Sequence, residues 1–312
     1  MKRISGLFAA ACLVTVCWSG VALAWGSATH AYLDDRIGRS GMVFNSQELY
    51  GSMAADVFNF SFAHPSYMAY LYQKTHTDFM GIWEKARTPY AKALGYGFVS
   101  HNGVWGADLT AHTDGLTSGQ GLGYVVDKAH LLKGVLIQVP ELAALNLPDP
   151  VLLEMSHSMV EYGIDILVKK LEPQIGKKVA AAAIFRSPEF AMLLNSEYAG
   201  ELATTFGISK KEATDFIIGT ESDFRHLTLQ YGIALSNNEE AAVQILAEQL
   251  SSFAAAFLRA YGVTLPDGVN LTPLAAFGIQ QAMALCAADF AAELAATRNF
   301  TRKQLVLHGV KD

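Results

Sequence analysis

Cysteine is scarce. The 312 residues contain three, and Cys12 and Cys17 both precede residue 25. If that leading segment is removed, only Cys286 remains and no internal disulfide is possible, so packing and any bound metal must supply stability. Charge is also sparse, 17% against 51% hydrophobic residues, which excludes an intrinsically disordered chain and allows one large core or two modest ones. A basic surplus is missing: 23 Lys and Arg face 29 Asp and Glu, for a net charge of −6, which argues against long nucleic acid as a partner. Few segments alternate with period two, so extensive sheet is not expected. There is no internal repeat and no low-complexity tract. Beyond the N-terminus no apolar stretch is clean enough for a transmembrane helix, since 274–296 carries Gln280, Gln281, Asp289 and Glu293.

What is present begins with Met1-Lys2-Arg3 and an apolar run from Ile4 to Ala24 ending Val-Ala-Leu-Ala. A charged start, apolar middle and small-residue end predict a secretory signal cleaved after Ala24, making Trp25 the first residue of a secreted or periplasmic protein. An uncleaved anchor is the competing reading, because ~20 apolar residues can span a bilayer.

The rest reads as an all-α, multi-helix domain over 25–312, with 175–312 a helical extension of it. A helix begins near Ser27 or Thr29, and others are expected over 47–58, 79–94, 151–171, 175–185, 188–206, 209–217, 239–262 and 273–297. Pro188, Pro266 and Pro273 mark starts or connections. Phe60 to Tyr72 reads as an aromatic-rich connection, and Thr113 to Gly123 as a glycine-rich surface loop or lid. The late Ala-rich helices read as closely packed, with a membrane-touching surface the minority alternative.

Chemistry concentrates in His101-Asn-Gly-Val-Trp-Gly-Ala-Asp108-Leu-Thr-Ala-His112. At ~100° per helical residue these three side chains fall at about 0°, −20° and +20°, one stripe of a helix. His157 and Glu161, at i,i+4, form a second imidazole–carboxylate pair. Together they predict a zinc site between helices.

In chain order the candidates are Trp25, His30, Asp56, His76, His101, Asp108, His112, His157 and Glu161. This series, over roughly residues 25–170, resembles the bacterial zinc-dependent phospholipase C family, and more loosely the single-strand-specific nucleases and 3′-nucleotidases that share a trinuclear zinc site. The resemblance implies His76, His101 and Asp108 on a first zinc and His112, His157 and Glu161 on a second. It implies a third on His30, Asp108 and the amino nitrogen and carbonyl of Trp25, so that signal cleavage creates a ligand. Asp56 is implied as the group that orients or deprotonates the attacking water. The implied activity is phosphodiester hydrolysis in phospholipid at a transiently contacted membrane surface, using up to three zinc ions.

Asp108 follows His101 by seven residues where that family has four. Seven helical residues rise ~10.5 Å, long for one ion, unless a bulge or break at Gly103 and Gly106 shortens the gap. The tight Asp108–His112 spacing looks more like the branch that includes glycosylphosphatidylinositol-specific phospholipase D. A nuclease and a catalytically silent zinc-stabilised binding protein are the alternatives; Glu161, the acidic charge and the lack of disulfides weigh against the nuclease. His64, His130, His226 and His308 are expected to be structural, and Asp78, Asp114 and Asp165 to cap or support.

Overall fold

The computed structural model describes residues 25–38, 42–117, 121–260, 262–265 and 269–310. The expected signal peptide, Pro266 and the middle of the glycine-rich loop therefore lie outside the described residues. Among those described there are fifteen α-helices and no strand: α1 Ser27–Ile37, α2 Met42–Met53, α3 Pro65–Thr77, α4 Met80–Lys85, α5 Pro89–His101, α6 Ala107–His112, α7 Tyr124–Leu136, α8 Pro140–Ala143, α9 Asp149–Val168, α10 Ile175–Phe185, α11 Glu189–Phe206, α12 Lys210–Leu235, α13 Glu239–Ala260, α14 Thr272–Cys286 and α15 Phe290–Leu307. The all-α expectation agrees with this.

Several expected boundaries shift for local reasons. The helix expected over 79–94 is two, because Thr88 caps a new helix through Ala91 N and Pro89 occupies its first turn. The aromatic connection contains α3, likewise begun by a proline, Pro65. The helix expected over 209–217 runs on to Leu235 from a Ser209 cap that accepts from Glu212 N. The helix expected over 273–297 breaks after Cys286, and the two halves meet at 74°.

One connected set of buried apolar side chains extends from Trp25 to Val310. Helix α5 lies against α2, α10 packs on α2 and α12, and α9 is flanked by α7 and α14. Helix α1 touches α2, α9, α10 and α15, so the element carrying His30 sits where these layers meet. Against the expectation of none, one helix among the described residues, Glu239–Arg259 within α13, is long and apolar enough to cross a membrane. In this fold it buries Ala242, Val243, Leu246, Ala247 and Leu258 against the protein.

The α2–α5 contact is backbone against backbone. A Cβ on Gly97 would stand 1.9 Å from the Glu48 carbonyl oxygen, and one on Gly51 2.1 Å from that of Leu94. These glycines therefore set how closely α5 approaches, and His101 lies one turn beyond Gly97. Gly97→Ala is expected to lose about 3 kcal/mol or more in urea unfolding, because backbone must move to admit the methyl. Gly219→Ala, on the exposed side of α12 with nothing within 4 Å, is expected to gain about 0.5–1 kcal/mol. Equal effects at the two positions would contradict the close approach.

Candidate metal centre

The stretch 101–112 is not one helix. Helix α5 ends at His101, and the Asn102 carboxamide oxygen then accepts from the backbone N–H groups of Val104, Trp105 and Gly106. Gly106 precedes α6, and a Cβ there would lie 2.6 Å from the His101 carbonyl oxygen. This break answers the spacing problem: Asp108 folds back to share a group with His101 that seven residues of continuous helix would have separated.

Three groups of convergent side chains result, each with its ligand atoms within 4.8 Å of one another: His30, His101 and Asp108; Asp56, His76 and His101; and His112, His157 and Glu161. Such groups could hold metal ions. Eight of the nine positions singled out in the sequence are thus brought together, with one regrouping. Asp56, expected to stand apart from the ligands, joins His76 and His101, and Asp108 goes with His30 and His101.

The ninth, Trp25, is fully buried at the start of α1. Its indole N–H lies 3.0 Å from the Ala107 carbonyl and 3.1 Å from Thr110 Oγ1, and its ring stacks on Tyr124. Trp25 thereby ties the chain entering α1 to α6, which carries Asp108 and His112.

The second ring nitrogens fix the imidazoles. His101 Nδ1 lies 2.7 Å from the Ser52 carbonyl and His76 Nδ1 2.8 Å from that of Tyr72. A carbonyl can only accept, so both Nδ1 atoms carry hydrogen and, in the neutral rings, both Nε2 atoms present lone pairs. Those two Nε2 atoms are 3.2 Å apart. Two lone pairs cannot bond to each other, so either His76 carries a second proton, held by Asp56 and donated to His101, or a metal ion would bridge the pair.

Other potential ligand atoms stand similarly close. Asp56 Oδ1 is 3.3 Å from His76 Nε2, His112 Nε2 3.1 Å from His157 Nε2, and Glu161 Oε1 2.9 Å from His157 Nε2. Ligands about 2.0–2.2 Å from one tetrahedral ion stand about 3.3–3.6 Å apart, close to these separations. His30 Nε2 is buried without a hydrogen-bond partner, whereas Asp108 Oδ1 lies 2.9 Å from His112 Nδ1. Buried polar atoms are normally paired, and a metal ion would supply the missing partner.

Electrostatics follow from dry, crowded charges. Burial pushes His30 down to about 3, with Asp108 opposing, and pushes His101 down to about 3, with His30 adding to the effect. Both are therefore neutral and ligand-competent near neutral pH. Burial also acts downward on His76, but the bond to Asp56 and the Asp108 charge outweigh it and leave it raised. Burial alone would raise Asp108; His112, His76 and His101 reverse that and hold it well below the usual carboxylate range. Glu161 is raised, first by burial and then by neighbouring carboxylates.

Support comes from α9, α12 and α15. Asp165 accepts from Ala28 N, Thr29 N, the Thr29 hydroxyl and the Tyr231 hydroxyl, all at 2.6–2.8 Å, pinning the start of α1 one residue before His30. The Thr297 hydroxyl meets that of Thr110 at 2.8 Å. Glu293 accepts from Leu116 N, Thr117 N and the Thr117 hydroxyl, so the described start of the glycine-rich loop is anchored. His64, His130, His226 and His308 are all exposed and belong to none of the three groups.

The centre borders a cleft of about 920 Å³, counting its open mouth, lined by Trp25, Asp56, Phe60, Glu161, Tyr162 and Phe253 among others. Three further residues matter here that sequence reasoning passed over. Asn59 donates to Asp56 Oδ1 at 2.8 Å, Tyr72 stacks on His76 at 4.0 Å, and Glu154 lies one turn before His157. The last was detectable, since 154, 157, 158 and 161 share a helical face. No family model, curated protein or solved structure matches this chain.

Burial pushes Glu154 up to about 7, against the pull of His112. A carboxylate raised on folding contributes stability that is complete below its unfolded value near 4.5 and is lost as pH rises through about 7. Metal-free wild type and Glu154→Gln should therefore differ in their pH dependence: between pH about 4.5 and about 7 the wild type should lose of order 3 kcal/mol relative to the variant. Parallel urea curves at all pH values would contradict this.

Proposed function

We propose that the chain is a secreted, zinc-dependent phosphodiesterase that hydrolyses phospholipids in the manner of a phospholipase C. The observation that carries this reading is the meeting of three largely buried histidine–carboxylate groups beside a cleft whose lining includes Phe60, Tyr162 and Phe253. The order of those residues along the chain, resembling the phospholipase C family, supports it. Imidazole and carboxylate donors with no thiolate suit zinc among the common ions, and buried neutral histidines suit it further.

Zinc held by these groups would polarise phosphate oxygens, lower the pKa of a water and stabilise the leaving oxygen. Within this reading Asp56 receives the proton of the attacking water, because it touches both the histidine group and the cleft. Asn59 holds Asp56 Oδ1 and so aims the carboxylate. His30, His101 and Asp108 form the group nearest α1, completed by the amino group that cleavage after Ala24 would free on Trp25. Phe60, Tyr162 and Phe253 exclude water from the lipid side.

The test is metal content and turnover on protein that begins at Trp25. About three zinc ions per chain and hydrolysis of phosphatidylcholine, without hydrolysis of single-stranded DNA, are the expected results. Asp56→Asn should keep its metal and lose at least about a hundredfold in kcat; loss of metal instead would make Asp56 a ligand. One extra residue before Trp25 should cost one ion. Metal-loaded protein with no turnover on either substrate would overturn the enzyme assignment.

A further inference from the structure

A second cavity opens beside the first. It is a narrow slot open to solvent, and its lining is apolar almost throughout, including Leu136, Met155, Ala254, Phe257, Leu271 and Leu274. Phe60, Tyr162 and Phe253 line both cavities. The rings of Phe60 and Phe253 touch at 5.4 Å between centroids and form the shared wall. Polar groups gather toward the metal centre, where Asn59, Glu154 and Ser158 line the slot. Farther along, α13 and α14 supply the walls, and Phe253, Ala254 and Phe257 on α13 stay half-exposed, so this side is open to an apolar ligand from outside.

The geometry points to a site for one acyl chain of a phosphate-bearing lipid, with the phosphate at the histidine–carboxylate groups and the chain laid past Phe60 and Phe253 into the slot between α13 and α14. The assignment rests on the phosphodiesterase reading for its phosphate end and on the slot for its chain end. A single unbranched chain fits the observations: among the described residues the lining offers no charged partner beyond Glu154, and the shared aromatic wall joins the slot to the cleft on one side. Each buried methylene should strengthen binding until the slot is full.

Calorimetric titration of metal-loaded protein beginning at Trp25 with monomeric lysophosphatidylcholines of about eight to fourteen carbons tests this. The Kd should fall about fourfold per added methylene, the ratio equivalent to about 0.8 kcal/mol. Ala254→Trp, which fills the slot from its half-exposed side, should flatten that slope, and Phe257→Ala should shift the length at which it saturates. Circular dichroism melts confirm that each variant is folded. Kd values independent of chain length, or a slope untouched by both variants, would overturn the slot. Fatty acids binding as tightly as lysophosphatidylcholines of equal length would overturn the phosphate-bearing source. Turnover of phosphatidylcholine without a length slope would remove this inference and leave the enzyme reading; a length slope without turnover would do the reverse.

Discussion

Two buried imidazole nitrogens 3.2 Å apart, one on His76 and one on His101, are the contact on which the rest of the structure depends. Each is held there by a carbonyl on its other nitrogen, Ser52 for His101 and Tyr72 for His76, so neither ring can flip away without losing a buried bond. A protein interior tolerates such an arrangement only with positive charge between the rings. The unpartnered nitrogen of His30 repeats the requirement at the neighbouring group.

Much of the fold serves to hold that arrangement against its own repulsion. Close approach at Gly97 and Gly51 brings α5 onto α2, which places His101 against the Ser52 carbonyl near the end of α2. The Asn102 turn folds α6 back so that Asp108 meets His101. Asp165, itself pushed up to about 6 by burial against four hydrogen bonds that oppose the shift, anchors α1 and hence His30. The C-terminal helices contribute from behind, with Tyr231 on Asp165, Thr297 on Thr110 and Glu293 on the loop after α6.

The site was more legible than the path of the chain. His157 and Glu161 needed only i,i+4 spacing, and the scarcity of alternation was enough for an all-helical architecture. The straight stripe drawn through His101, Asp108 and His112 is broken in the structure, which places His112 in a different group, because a side-chain cap by Asn102 competes with helix continuation and periodicity does not register it. Asp56 was separated from the histidines because its partners come from α3 and α5, contacts that no local pattern encodes. The splits at Pro89 and after Cys286 were missed for a related reason: apolar spacing continues across both, and the turn is decided by tertiary packing and by a proline in the first turn of the next helix.

Anomalous diffraction at the zinc edge, on crystals grown from zinc-loaded protein that begins at Trp25, addresses the central claim most directly. The account predicts anomalous peaks inside the three groups, one of them between His76 Nε2 and His101 Nε2, with His30 Nε2, Asp108 and Glu161 turned onto the ions. No peak between His76 and His101, with those nitrogens bridged by a proton or water at full zinc loading, would contradict it.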